Sequence, residues 1–114
     1  MATYAERKAA RQRELERALE RFVQVCRDRP DVRAVFLFGS LAEWRVGPRS
    51  DLDILVVRET AVRGIERGSD LAIAADVGVP LDLIVVTPDE FREGLPATSF
   101  GRTLLATARS VYAA

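Results

Sequence analysis

Two carboxylates, Asp51 and Asp53, stand one residue apart at the mouth of an apolar run, Leu52 to Val57. An ionised carboxylate buried without a partner costs several kcal/mol or more. No Lys or His lies near them in the chain. Side chains alternate along a strand, so both acids project from one face, their Cα atoms roughly 6.5 Å apart. Acids that close repel unless a cation lies between them. Twelve residues upstream stands Gly39-Ser40. A glycine lets backbone approach a ligand closely, and a helix opened by Ser40 would offer free N–H groups to an anion. A third acid, Asp82, interrupts the apolar stretch VPLDLIVV as Asp53 interrupts its own. Three carboxylates beside a phosphate cradle are what two-metal phosphoryl transfer requires.

The composition narrows the chemistry. The chain of 114 residues has no histidine, which removes Ser-His-Asp and Cys-His catalysis and imidazole metal sites. Any metal must therefore be held by oxygen, which points to Mg²⁺ or Mn²⁺. Lys+Arg and Asp+Glu are both 17, so no net charge draws the chain to nucleic acid or to an anionic membrane. The first twenty residues carry many charges and no apolar run, so no signal peptide is expected. No stretch approaches the ~20 apolar residues of a membrane helix, and a cytoplasmic location is expected. The single cysteine, Cys26, excludes an internal disulfide and reads as a core residue.

The elements that must position these groups follow from periodicity. Residues 5–29 read as a long helix, with Leu15, Leu19, Phe22 and Cys26 as its apolar stripe. Its Arg- and Glu-rich remainder reads as a solvated face with i,i+4 ion pairs. Residues 32–38 form a buried strand, 41–44 a short helix, 46–50 a turn and 52–57 a second strand. The dozen or so residues linking the two strands are too few for a parallel crossover, so these strands are expected to be antiparallel. Residues 60–75 read as a helix weakened by Gly64 and Gly68, long enough for a right-handed crossover to a third, parallel strand over 81–86. Thr87-Pro88 opens C-terminal helices reaching to 109, with Val111-Tyr112 as a last short strand. The expectation is one α/β (α+β) domain over 1–114, a small mixed sheet with flanking helices, whose catalytic core spans about 32–86.

Gly39-Ser40, ten residues, then Asp51-Leu52-Asp53 resembles the GS-x10-D-x-D signature of the DNA polymerase β-like nucleotidyltransferases, and Asp82 falls where that superfamily places its third carboxylate. The nearest look-alikes are the minimal nucleotidyltransferases. The resemblance implies the nucleotidyltransferase fold and metal-dependent transfer of a nucleoside monophosphate from an NTP, expected to be ATP, to a hydroxyl. It implies that Asp51, Asp53 and Asp82 hold Mg²⁺ (or Mn²⁺), that Asp82 helps deprotonate the acceptor, and that Gly39 and Ser40 bind the triphosphate. It also implies a partner, a small all-helical HEPN-type toxin, with a homo-oligomer as the alternative assembly. One departure stands out: many small relatives carry Arg-Gly where this chain has Glu43-Trp44.

Plainer readings accompany the functional ones. Ser40 is expected to cap its helix besides any phosphate role. Arg45 and Arg49 either contact phosphate or are ordinary solvated loop arginines. Trp44, the only Trp, is read as half-buried packing in preference to an exposed interface anchor. In the alternative function the fold is a binding module that neutralises a helical partner by contact, with little or no catalysis.

Overall fold

Four strands form one mixed sheet in the order β3-β2-β1-β4 in the computed structural model, which describes residues 1–114. β1 (Val32–Phe38) pairs antiparallel with β2 (Leu52–Arg58), bringing Phe38 opposite Asp53. β3 (Leu81–Val86) runs parallel to β2, with Asp53 opposite Asp82. β4 (Arg109–Ala113) closes the other edge, antiparallel to β1. Both expected strand directions are therefore found. Each follows from its connection, a short one between β1 and β2 and a long crossover between β2 and β3.

The long helix α1 (Tyr4–Arg27) begins with a capping box, in which Thr3 and Glu6 each bond the other's backbone N–H at 3.1 Å. Leu15, Phe22 and Cys26 of the expected stripe are fully buried, with Ala18 and Val23 beside them. Leu19 is only half-buried. They pack on one face of the sheet against Val32, Val35, Leu37, Leu52, Ile54 and Val56. Burial pushes the Cys26 thiol up to about 12, so it is an inert core residue. The solvated Arg/Glu face is present, but its i,i+4 ion pairs are not. One i,i+3 pair, Arg11–Glu14 at 3.9 Å, stands in that stretch, because water competes effectively for exposed ions.

The opposite face of the sheet carries a smaller cluster of Leu55, Val57 and Val86, covered by Leu104 of α4 (Ser99–Thr107). A π-helical turn over Glu90–Gly94 precedes α4, and Phe91 from that turn stacks on Phe36 at 5.2 Å. Thr87 and Glu90 form the expected helix start as a second capping box.

Two helix predictions need correction. Residues 60–75 do not form one helix. The segment divides into a 3-10 turn, Gly64–Arg67, and α3 (Ser69–Ala75). Gly64 takes φ +71°, and a Cβ on Gly68 would lie 2.7 Å from Leu83. The glycines permit the break, and the close seating of Gly68 on β3 sets where it falls. The short helix after β1, α2, spans Gly39–Ala42 and not 41–44. Its N-cap is Phe38, with no side-chain capping bond, so Ser40 lies inside the helix and does not cap it.

Candidate active site

The three acids come to one end of the sheet by register. Asp51 lies exposed just before β2, Asp53 is half-buried at its second residue, and Asp82 lies exposed at the second residue of β3. Neighbouring strands are ~4.8 Å apart, so the facing pair Asp53 and Asp82 cannot avoid one another. No arginine or lysine pairs with any of the three, and none of their side chains makes a hydrogen bond within the chain. Burial first, then the charges of Asp82 and Asp51, push the Asp53 carboxyl up to about 6.

Gly39 bears on the same group. It takes φ +73° at the β1–α2 junction, and a Cβ built there would fall 2.0 Å from Asp53 Oδ2. The sequence expectation gave this glycine a role in letting phosphate approach. The structure adds a nearer reason, since the bare Cα is what leaves room for the Asp53 carboxylate.

The acids are not closed into a ready-made cage, for no group of three or more acidic or Cys side chains converges tightly enough to hold an ion by itself. The donor set still fits a hard cation. It is all oxygen, it is unneutralised, and Mg²⁺ characteristically takes one or two carboxylates and completes its shell with water and substrate phosphate.

Ser40, next to Gly39, lines a cavity of about 500 Å³ between the N-terminal turns of α1 and the 45–50 loop. Arg45 and Arg49 line it, as does Arg7 of α1. Arg45 also pairs with Glu43 at 3.0 Å. Sequence reasoning missed Arg7 and its neighbour Tyr4. Nothing in their local pattern distinguishes them from the other charged and polar residues of the helix, and only the docking of α1 across the loop brings them here.

Trp44 is not packing. It is 72% exposed at φ 59°, a left-handed conformation unusual for a bulky residue. The Arg109 guanidinium lies over its ring at 4.6 Å and donates a hydrogen bond to the Leu41 carbonyl, which holds the indole at the surface beside α2.

Comparison with known proteins agrees with this geometry. Residues 20–84 match the family model described as polymerase beta, nucleotidyltransferase. Among solved structures, a Sulfolobus solfataricus protein assigned to the nucleotidyltransferases is similar with TM-score 0.63 and 20% identity, over 94% of this chain and 87% of its own. A toxin–antitoxin crystallised with AMP-PNP is similar with TM-score 0.59 and 21% identity, over 83% of this chain and 73% of its own. A tri-AMPylated Shewanella oneidensis HEPN toxin in complex with its MNT antitoxin gives TM-score 0.53 and 20% identity, over 88% and 73%. At these identities the likeness is one of fold. No curated protein matches the chain in sequence.

Proposed function

The chain belongs to the polymerase β-like nucleotidyltransferase family, which matches it over more than half its length, and from that premise we propose that it transfers a nucleoside monophosphate from ATP to a hydroxyl on a partner protein. The observation that carries the reading is the register-matched, unneutralised pair Asp53 and Asp82, with Asp51 alongside and Gly39 pressed against Asp53. Asp51 and Asp53 would hold Mg²⁺ or Mn²⁺ with the nucleotide, and Asp82 would share in a second ion. When bound, such an ion neutralises the carboxylates and the charge that develops on the transferring phosphoryl group.

The protein's own share is positioning and proton transfer. The acceptor oxygen forms a bond to the α-phosphorus while the bond from that phosphorus to the bridging oxygen breaks, and pyrophosphate leaves. The acceptor proton passes to the Asp82 carboxylate, which is exposed and therefore within reach of a macromolecular acceptor. Gly39 and Ser40 place backbone and hydroxyl beside the polyphosphate. The whole of 1–114 acts as one unit in this reading, with a small all-helical HEPN-type protein as the partner and the chain as its antitoxin. The support for that partner is the fold shared with a toxin–antitoxin structure and with a complex of a HEPN toxin and its MNT antitoxin. No helix of the chain is long and apolar enough to cross a membrane, which accords with a cytoplasmic pair.

The test is incubation with α-labelled ATP and Mg²⁺, with and without a co-encoded helical protein. Label on that protein, lost in Asp82→Asn, supports the reading. Neutralisation of the partner at full strength with no transfer of label would favour the contact-only binding module.

A further inference from the structure

β3 is a free edge of the sheet. The Leu52 N–H donates to the Pro80 carbonyl at 2.9 Å, which fixes the alternation of the parallel ladder. Asp82, Ile84 and Val86 turn their backbone groups to β2, and Leu81, Leu83 and Val85 turn theirs outward. Of these outward groups only the Val85 carbonyl finds a partner, Arg67 Nη1 at 3.4 Å. The opposite edge is protected: β4 begins with Arg109, and its register with β1 slips between Val35 and Phe36. β3 carries no such device. Its pairing with β2 is unbroken, it contains no Pro or Lys, and its one charge is Asp82.

A cavity of about 630 Å³ runs along this edge, between β3 and the segment from the 3-10 turn into α3. Half-buried Leu81, Leu83 and Ala72 line it with Gly68, and Ile65 stands at its lip, 94% exposed. The close seating of Gly68 on Leu83 and Val85 fixes the cavity wall to the strand. An open edge beside an apolar trough suits an extended chain, whose backbone bonds the edge while alternate side chains fill the trough. The two faces of such a chain would meet different surroundings. Leu81, Leu83 and Val85 lie on the α3 face of the sheet with the main core, whereas Ile84, and by the period of two Asp82, lie on the other. A strand added here would therefore place one alternate set of side chains in the trough and the other beside Asp82, across a strand spacing of ~4.8 Å.

We propose that the β3 edge docks the acceptor by strand addition: an extended segment of the partner protein lies along Leu81–Val85, with its Ser, Thr or Tyr hydroxyl on the Asp82 face and the apolar residues on either side of it in the cavity. Asp82 identifies the occupant. The carboxylate that takes the acceptor proton belongs to the docking strand itself, so a chain paired there is held at the point of transfer. A second copy of this chain fits less well. Antiparallel pairing across the middle of two β3 strands would bring the two Asp82 carboxylates opposite or diagonal to one another, and like charges so placed are destabilising. The role of Asp82 rests on the nucleotidyl-transfer reading, while the docking edge rests on the free backbone groups and the trough. The edge selects an acceptor by pattern, apolar–hydroxyl–apolar in an extended segment. In a helical partner that is a terminal or connecting segment and not a helix face.

The probe is the capped peptide Lys-Val-Thr-Val-Thr-Val-Lys, titrated into the full chain and followed by amide hydrogen exchange. In the free protein the Leu83 N–H should exchange much faster than the ladder-bonded Ile84 N–H, and peptide should slow Leu83 by about tenfold or more. N-methylation of one alternate set of peptide amides should abolish binding and methylation of the other set should spare it, because only one set faces β3. A peptide of the same composition with its Val and Thr residues in two blocks should bind worse. Ile65→Gln should weaken binding by about fivefold, through lost apolar burial, while Ile73→Gln, exposed on α3 but outside the cavity, should match wild type. A preserved thermal midpoint shows that each variant is folded. Three results overturn the proposal: no binding at millimolar peptide, equal tolerance of both methylation patterns, or Leu83 protection that rises with protein concentration in the absence of peptide, which marks a dimer through β3. If the peptide binds in this way but label never moves from ATP to it or to any partner, the docking edge stands and the transfer reading falls. If label reaches a partner at the same rate with Ile65→Gln and Leu83 stays unprotected, the docking edge alone falls.

Discussion

Asp53→Asn should make the metal-free protein more stable. Asp53 has an ordinary carboxyl pKa of 3.8 when the chain is unfolded and about 6 in the fold, because of burial and the charges of Asp82 and Asp51. The difference of about 2 pKa units, at ~1.4 kcal/mol per unit, sets a ceiling of about 3 kcal/mol on the cost of keeping this carboxylate ionised at neutral pH. The site is open to solvent on one side, and screening there reduces the expected gain to about 1–2 kcal/mol. Asn keeps the shape, removes the charge and forfeits no hydrogen bond, since Asp53 makes none within the chain.

The folded pKa lies above the unfolded one, so between about pH 4 and 6 the folded state holds the proton that the unfolded state releases. The wild type therefore loses stability as pH rises through that window and loses no more from this group above it. In urea denaturation with EDTA, the advantage of Asp53→Asn should be full at pH 7.5 and small at pH 4.5. Addition of Mg²⁺ and ATP at pH 7.5 should reverse the order: a ligand at a hundred times its dissociation constant adds ~2.7 kcal/mol to the form that binds it. The variant, short of a ligand oxygen charge, should gain little. Equal stabilities at pH 7.5, or an advantage that grows on acidification, would refute the electrostatic reasoning. An undiminished Mg-ATP gain in the variant would remove Asp53 from the metal site.

Asp82→Asn should retain much of the Mg-ATP stabilisation yet lose nucleotide transfer by at least about a hundredfold, as expected when general-base help is removed; single-turnover transfer of label measures it. Gly39→Ala should cost about 1–2 kcal/mol for the left-handed φ alone and displace the Asp53 carboxylate besides, so both the thermal midpoint and the Mg-ATP shift should fall. Combining it with Asp53→Ala should recover part of the stability loss, and strictly additive costs would argue against the collision. Arg58→Gln should cost about 2–3 kcal/mol, measured by urea denaturation, because the Arg58 side chain is only 11% exposed and binds Asp31 at 2.8 Å and Asp70 at 2.7 and 2.9 Å. It stands at the far end of β2 from the acids, so Mg-ATP should still produce its full shift in that variant.

Much of this protein is legible from its residues alone. The bounds of β1 and β3, both strand directions and the gathering of Gly39, Asp51, Asp53 and Asp82 at one sheet end follow from apolar runs, turn residues and connection lengths. These are local quantities, and the period of two along a strand converts them directly into faces. The helix over 60–75 was overextended because helix propensity says nothing of the β3 side chains against which Gly68 seats. Trp44 was misplaced for a related reason: a lone large apolar residue suggests burial, but the left-handed turn after α2 points it outward under Arg109. Ser40 had the chemistry of a cap, yet the helix starts one residue earlier. The docking of α1 beside Ser40 is not legible in the sequence. Arg7 lies more than thirty residues from Ser40 in sequence and comes beside it only because the apolar stripe of α1 packs across the sheet and Arg11 ties the helix to Pro48. Spacing along the chain reveals groups carried by one strand or by strands in known register. A cavity wall shared between an N-terminal helix and a distant loop depends on how the two pack, and that is decided by the core as a whole.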